Sequence, residues 1–284
     1  MTKGTRSAGI DIGSRTVKVV LVEDGSLAGY RIADTGTDPL GRARELLAET
    51  GYASRDTIPG QGTRSRIPKR IRVMSPPGHV PSGSFPLVAT GYGRHLAREA
   101  LGCTTITEIK AHALGAAHLF PACRTVLDVG GQDSKVIRVH EGAVREFEMN
   151  DRCAAGTGRF LEVMAHALHY SIQDFAQAAR QSNESVSISS MCTVFAESEV
   201  ISLIARGETA PSIARGLHRS VVSRLSSLVG RVGCVPEVVF SGGVALNPCI
   251  RELLQELLGC PLRVPEAPQI VGALGAALAA ADLQ

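Results

Sequence analysis

Two cysteines stand in segments that could place a reactive sulfur at the start of a helix. Cys153 is followed by two glycines and then by an apolar run in which Phe160, Met164 and Leu168 recur every four residues, as on one helix face. Cys192 precedes a second apolar run in the same way. The unpaired N–H groups and the macrodipole of a helix N-terminus favour a thiolate. Two cysteines that each open an amphipathic helix indicate two ligands for one soft, anionic centre.

The other cysteines lack this setting. No two of the seven cysteines form a close CxxC pair, and we expect them to be reduced, so a disulfide framework is not predicted. A single cysteine is most often a small buried hydrophobe. We apply this interpretation to Cys103, Cys123, Cys234, Cys249 and Cys260. Near Cys192, Ser190 or Thr193 could cap the following helix.

A strand, a glycine turn and a second strand open the chain. Asp11 ends the first strand and Gly13-Ser14 forms the turn, whose backbone N–H groups could hold a phosphate. The same design returns at Asp128 with Gly130-Gly131, 117 residues later (128 minus 11). Either segment alone could be a plain hairpin. As a pair they predict two related halves, in which carboxylates hold Mg²⁺ through water and glycines admit phosphate.

Two further features fit this chemistry. Gln132 follows the second glycine turn, where it could orient an attacking water. A later strand ends in Gly242-Gly243 before a helix, which suits a nucleotide cradle or an ordinary strand-to-helix turn.

The elements that position these residues follow from the hydrophobic pattern. Helices are predicted near 39–50, 95–101, 108–119, 212–229 and 250–258. The C-terminal run contains Gly272 and Gly275, which permit close helix packing. Residues 54–84 are basic and rich in Pro, Gly and Ser, which predicts a mobile loop with a possible docking role.

Composition narrows the class of protein. The 284 residues are 44% hydrophobic, as in a globular protein of one or two domains. A formal net charge of +3 does not indicate a nucleic-acid partner. The sequence contains no run that is apolar and long enough for a membrane span, and it opens without a signal-peptide pattern, so we expect a cytoplasmic protein.

The motifs together resemble a known family. In order they are GIDIGSRTVK, LDVGGQDSK, NDRCAAGTGRFL, CTVFAESEVISL, FSGGVALN and VGALGAA, and the cysteine spacing is 39 (192 minus 153). The chain resembles the activators of 2-hydroxyacyl-CoA dehydratases, in a group that includes the ATPase subunits of benzoyl-CoA reductase. The wider superfamily includes actin, hexokinase and the heat-shock ATPases. The departure lies at 54–84, where the family usually has a shorter connection.

This resemblance implies an α/β fold of two ribonuclease H-like domains, an actin-like ATPase fold with a nucleotide cleft between them. Residues 1–120 would form the first domain, with the helix 268–284 packed back on it, and 121–267 would form the second. Asp11, Asp128 and Gln132 would be catalytic. The nucleotide would be bound by Gly13, Ser14, Arg15, Thr16, Lys18, Gly130, Gly131, Gly242, Gly243 and Asn247. Arg159 and Glu197 are weaker candidates.

The resemblance also implies cofactors and partners. A homodimer, or a pair with a related subunit, would share one 4Fe–4S cluster held by Cys153 and Cys192 of each chain, beside ATP or ADP and Mg²⁺. ATP hydrolysis would drive an electron from a ferredoxin or flavodoxin to an iron–sulfur dehydratase or reductase. Two alternatives remain: the ATP-binding subunit of a benzoyl-CoA reductase-type complex, and a small-molecule kinase of the same fold with structural cysteines.

Overall fold

A computed structural model describes residues 5–52, 85–189 and 192–283 of the chain. The chain divides into two compact units, one formed by residues 1–118 with 270–284 and the other by 119–269. The basic segment expected to be a loop at 54–84 lies outside the described residues, as does Ser190.

The first unit is built on a five-stranded sheet with the order β3-β2-β1-β4-β5. Its strands are β1 (Arg6–Ile12), β2 (Thr16–Glu23), β3 (Ser26–Asp34), β4 (Leu87–Thr90) and β5 (Thr104–Thr105). The first three strands pair antiparallel, and β4 and β5 add in parallel on the other side of β1. In β2 the predicted alternation holds at Val17 and Val19, which are buried, but Val20 and Val22 on the opposite face are buried as well, so both faces of the strand are covered.

Three helices of this unit follow the predicted positions closely. They are α1 (Pro39–Glu49), α2 (Arg94–Leu101) and α3 (Glu108–Leu119). Asp38 caps α1 by accepting a hydrogen bond from the Gly41 amide, and Pro39 occupies the first helical position, where its missing N–H has no cost. The buried Leu46 and Leu47 then face the apolar side of the sheet.

The second unit repeats the strand arrangement of the first. Its sheet has the order β10-β9-β6-β7-β8. The strands are β6 (Thr125–Val129), β7 (Ser134–His140), β8 (Ala143–Asn150), β9 (Val238–Ser241) and β10 (Leu262–Arg263). Again three antiparallel strands come first, and two parallel strands extend the sheet from the first of them. The two related halves inferred from the paired aspartate motifs are therefore present as two sheets of the same topology.

Helices cover the second sheet and build its core. They are α4 (Gly158–Ala167), α5 (Ile172–Gln181), α6 (Thr193–Ala205), α7 (Ala210–Val232) and α8 (Pro248–Leu258). Phe160 and Met164 of α4 are fully buried, and Leu168 just beyond its end is nearly so, which confirms the face predicted from their spacing. A short 3-10 helix, Gly243–Leu246, joins β9 to α8.

The last helix, α9 (Val271–Ala281), belongs to the first unit. A side chain at Gly275 would place its Cβ 1.8 Å from the Ala111 carbonyl oxygen of α3, and one at Gly272 would place it 2.8 Å from His112. The predicted close packing at both glycines is confirmed. None of the helices in the described ranges combines the length and the apolar character that crossing a bilayer requires.

Candidate functional site

Exposure separates two cysteines from the other five. Cys153 and Cys192 are exposed. Cys103, Cys123 and Cys249 are buried, and Cys234 and Cys260 are half-buried, so the expectation of burial holds fully for three of these five. Burial raises the pKa of Cys103, and it raises the pKa of Cys123, Cys234 and Cys249 to about 11. These four thiols stay protonated at neutral pH and are poor metal ligands.

The loop that carries Cys153 is held in one shape by its neighbours. The Asn150 side-chain amide donates to the carbonyl of Cys153 over 2.8 Å and to that of Ala155 over 2.9 Å. Gly156 has φ +80°, and a Cβ there would lie 2.8 Å from Cγ of Arg224 on α7. Glycine is therefore required at this position for its backbone conformation and for space. These contacts fix the conformation of the loop, and Cys153 lies exposed on it.

The relation of Cys153 to α4 differs from the expectation. The helix begins at Gly158, and its first two N–H groups are taken: Gly158 donates to the carbonyl of Gly130 over 2.9 Å, and Arg159 donates to that of Gly131 over 2.7 Å. The prediction that unpaired N–H groups of this helix face the cysteine is wrong for these two. They bind the glycine turn that follows Asp128 instead.

Cys192 lies where the sequence predicts, as the N-cap residue of α6. Its carbonyl accepts from the amide of Ala196 over 2.8 Å. The expectation of an amphipathic helix is wrong, because α6 has apolar residues on its outer side as well as its inner side. Val194, Phe195 and Ile201 are 68%, 66% and 63% exposed. These exposed side chains form an apolar surface beside Cys192.

Asp128 lies in a buried group of charges in the second unit. Lys135, 2% exposed, stands opposite it in the β6–β7 register and places its ammonium 3.3 Å from Asp128 and 2.7 Å from Asp133. The Ser241 hydroxyl donates to the other oxygen of Asp128 over 2.9 Å. The carboxylate is thus fixed at both oxygens, while Gln132 on the adjoining turn is exposed to solvent.

The first unit holds Asp11 in an equivalent arrangement. Asp11 pairs in register with Lys18, whose ammonium lies 2.9 Å from its carboxylate. Gly13 closes the hairpin by donating to the carbonyl of Thr16 over 3.1 Å, and it accepts from the Thr35 hydroxyl over 2.8 Å. Ser14 is half-buried and Arg15 is exposed. A lysine seven residues after each aspartate is the repeated signal that could have revealed Lys135 (18 minus 11, 135 minus 128).

The glycine pair after β9 packs against the strand that carries Asp128. A Cβ at Gly242, which has φ +86°, would lie 2.3 Å from the carbonyl oxygen of Val129. Gly243 has open space beside it, with only Gln269 within 4 Å of an added Cβ. Asn247 is 8% exposed and its side chain caps α8 by accepting from the amide of Ile250 over 3.0 Å. Asp128 lies in β6, and Gly130 and Gly242 directly follow the ends of the neighbouring strands β6 and β9.

Sequence reasoning missed several residues that pack around the predicted site residues. Asp133, Ser241, His218 and Arg224 are absent from the predicted set, although each contacts a residue in it or the loop that carries one. Only their place in the fold identifies them. For Lys135 the repeat of the two hairpins was a usable signal.

Comparison with known proteins agrees with these motifs. The profile of the BadF/BadG/BcrA/BcrD ATPase family matches residues 8–280. The (R)-2-hydroxyglutaryl-CoA dehydratase activating ATPase of Acidaminococcus fermentans is 40% identical over 273 residues, 95% of each chain. A benzoyl-CoA reductase subunit from Thauera aromatica is 31% identical over 288 residues, 96% of this chain and 92% of that protein.

Solved structures show the same fold. The activator of 2-hydroxyisocaproyl-CoA dehydratase from Clostridium difficile, with bound ADPNP, has a TM-score of 0.81 at 37% identity and covers 98% of this chain and 95% of its own. A ROK family glucokinase from Streptomyces griseus, 12% identical with a TM-score of 0.56, shows the fold alone. The predicted actin-like ATPase fold is confirmed. From the match over 8–280, the chain belongs to the BadF/BadG/BcrA/BcrD ATPase family.

Proposed function

We propose that the protein is an ATP-hydrolysing iron–sulfur electron-transfer protein that activates a 2-hydroxyacyl-CoA dehydratase. The functions of its relatives support this choice, since identity is 40% to a dehydratase activating ATPase and 31% to a benzoyl-CoA reductase subunit. The observation that carries the proposal is the pair of hydrogen bonds from Gly158 and Arg159 to Gly130 and Gly131. They join the glycine turn of the ATPase motif to the helix behind the Cys153 loop.

The two exposed cysteines fit a shared 4Fe–4S cluster. Cys153 and Cys192 are free thiols at the surface of the second unit, and the remaining cysteines are wholly or partly buried. A cluster of this type takes four thiolates, so two copies of the chain would each supply two. The exposed apolar residues of α6, next to Cys192, give such a dimer a surface to bury. When bound, the cluster supplies one-electron transfer at low potential.

The carboxylate hairpins fit MgATP. The carboxylates of Asp11 in the first unit and of Asp128 in the second are each of the type that takes Mg²⁺ through water, because carboxylate oxygens are its preferred protein ligands. The turns at Gly13 and Gly130 would admit phosphate, and Lys18 would add positive charge. Gln132 is exposed on its turn and would orient the attacking water. Gly243, with open space beside it, would admit the adenosine.

Coupling would follow the backbone. A shift of the Gly130–Gly131 turn when the γ-phosphate leaves would move the carbonyls that bind the first residues of α4. Because the Asn150 amide binds two carbonyls of the Cys153 loop, the loop would keep its shape and the cysteine would move with the start of α4. The electron would then pass from a ferredoxin or flavodoxin, through this protein, to the iron–sulfur dehydratase.

The test is activation of a partner. Protein purified without oxygen is mixed with reductant, MgATP and a 2-hydroxyacyl-CoA dehydratase from an organism that contains one of the related activators. We expect dehydration that requires both ATP and this protein. In Asp128→Asn we expect the loss of ATP hydrolysis and of activation, with the visible absorbance of the cluster retained. Activation that proceeds without ATP hydrolysis would overturn the proposal.

A further inference from the structure

One buried histidine in the second unit has no place in the proposed chemistry. His218 lies in the middle of α7 with no exposed surface. Its ring packs against Phe175 of α5, with centroids 4.6 Å apart. Both ring nitrogens have polar partners: Nδ1 lies 2.8 Å from the carbonyl oxygen of Ala214, and Nε2 lies 3.0 Å from the side-chain nitrogen of Asn247.

These partners determine the state of the ring. A carbonyl oxygen only accepts, so Nδ1 must carry the proton and donate it to Ala214. Nε2 is then a lone-pair acceptor, and Asn247 donates to it. Burial lowers the pKa of His218 to about 4 and outweighs the hydrogen bond to Ala214, which raises it, while the charge of Arg215 lowers it by a smaller amount. The imidazole therefore stays neutral, with its acceptor directed at Asn247, throughout the physiological range.

Both the oxygen and the nitrogen of the Asn247 side-chain amide have a partner in the protein. Its oxygen accepts from the Ile250 amide and caps α8, while its nitrogen donates to His218. Aspartate would keep the cap of α8, but its carboxylate would face the lone pair on Nε2 of His218, and the two would repel each other. Serine has one hydroxyl oxygen, where asparagine has a separate oxygen for the cap and a nitrogen for His218. Asparagine is the side chain that satisfies both demands.

The backbone of Asn247 closes the glycine turn. Its amide donates to the carbonyl of Val244 over 2.9 Å, inside the short 3-10 helix that begins at Gly243. The turn is held on its other side by Gly242, which donates to the carbonyl of Pro268 over 2.9 Å. Asn247 is thus the point at which the turn is anchored to the helices beneath it.

We propose that His218 is a positioning residue for nucleotide binding, acting through Asn247 on the Gly242–Gly243 turn. The proposal rests on the proposed role of that turn in binding adenosine. It also gives Asn247, whose amide binds both His218 and the first turn of α8, a role in supporting the turn. The ring of His218 makes no contact with the ligand and acts only by fixing the orientation of this amide.

The test compares variants that keep or remove the hydrogen-bond acceptor that position 218 offers to Asn247. His218→Gln offers an oxygen to Asn247, whereas His218→Phe keeps the ring contact with Phe175 and offers none. Affinity for a non-hydrolysable ATP analogue with Mg²⁺ is measured by calorimetry, together with Tm. Val221→Ala, on the same buried helix, controls for lost stability alone.

We expect His218→Phe to weaken analogue binding about tenfold, because the Asn247 amide loses the acceptor that orients it beneath the turn. His218→Gln should bind within about threefold of the natural protein, and Val221→Ala should lower Tm without weakening binding. Asn247→Asp supplies a second readout, since it keeps the cap of α8 but offers His218 no donor, and it should weaken analogue binding as His218→Phe does.

The two proposals fail in different ways. If the natural protein does not bind the analogue, the assignment of the nucleotide turn fails, and the role of His218 with it. If the natural protein binds and His218→Phe binds equally well while its Tm falls, only the positioning role is overturned. Equal weakening in His218→Phe and Val221→Ala would also overturn it, because stability alone would then explain the effect.

Discussion

The amide nitrogen of Gly158 donates to the carbonyl oxygen of Gly130 over 2.9 Å, so the first residue of the helix behind Cys153 is bound to the turn behind Asp128. A Cβ at Gly158 would lie 3.1 Å from that oxygen and 3.3 Å from Val244. These contacts are tight enough to displace the hydrogen bond by a few tenths of an ångström without blocking the fold.

Gly158→Ala should therefore weaken coupling more than stability. We expect the number of electrons delivered per ATP hydrolysed to fall about fivefold, a typical effect for a residue on a coupling route. The measurement is reduced dehydratase formed per phosphate released, with Tm recorded alongside. Gly230→Ala is the matched control, since nothing lies within 4 Å of an added Cβ on that helix. Equal coupling in Gly158→Ala and the control would contradict this route.

Lys135 should contribute more to stability than its counterpart in the first unit. Lys135→Met leaves Asp128 and Asp133 buried without their shared ammonium, which should cost about 3 kcal/mol or more of unfolding free energy. Lys18→Met should cost less, because its ion pair with Asp11 is more exposed.

A double variant separates the charge effect from lost packing. Asp133→Asn combined with Lys135→Met removes one negative and one positive charge, so part of the stability should return. Urea unfolding of the two single variants and the double variant measures the coupling between the residues, expected at about 1 kcal/mol or more. Strict additivity would mean that the ion pair contributes nothing.

His218 should make unfolding depend on pH in a defined window. Its folded pKa of about 4 lies below the unfolded value of 6.5, so the unfolded chain binds the extra proton first as pH falls. Its contribution to the unfolding free energy is fully present above pH 6.5. That contribution is lost as pH falls to about 4, where the loss amounts to about 3 kcal/mol.

The comparison with His218→Gln isolates this contribution. The difference in unfolding free energy between the natural protein and the variant should be constant above pH 7 and should shrink steadily below about pH 6. Denaturant titrations across this range provide the measurement. Parallel pH curves for the two proteins would show that the histidine is not held neutral.

The sequence predicts the parts of the fold whose patterns are local. Both aspartate hairpins are predicted because strand alternation and a glycine turn occur within a few residues, as in Val17 and Val19 of β2. The strand β8 is not predicted, since it is largely exposed and its alternation is weak. The sequence indicates a start of α4 near Cys153 rather than at Gly158 because the intervening small residues give no periodic signal.

The site is predictable where single residues carry chemistry and not where support comes from distant elements. Cys153 and Cys192 stand out by their surroundings, and they prove to be the exposed pair. A lysine such as Lys135 is usually a surface residue, and only the fold shows it 2% exposed between two carboxylates. The contact of His218 with Asn247 joins residues 29 positions apart, which no local pattern reveals.

The central claim is a metal centre shared by two copies of the chain through Cys153 and Cys192. Iron content and molar mass of protein prepared without oxygen test it most directly, with Cys234→Ser as the control for a half-buried cysteine. We predict a dimer with about two irons per chain, retained in the control and lost in Cys153→Ser and in Cys192→Ser. An iron-free monomer, or full iron content in either of the two ligand variants, would contradict the claim.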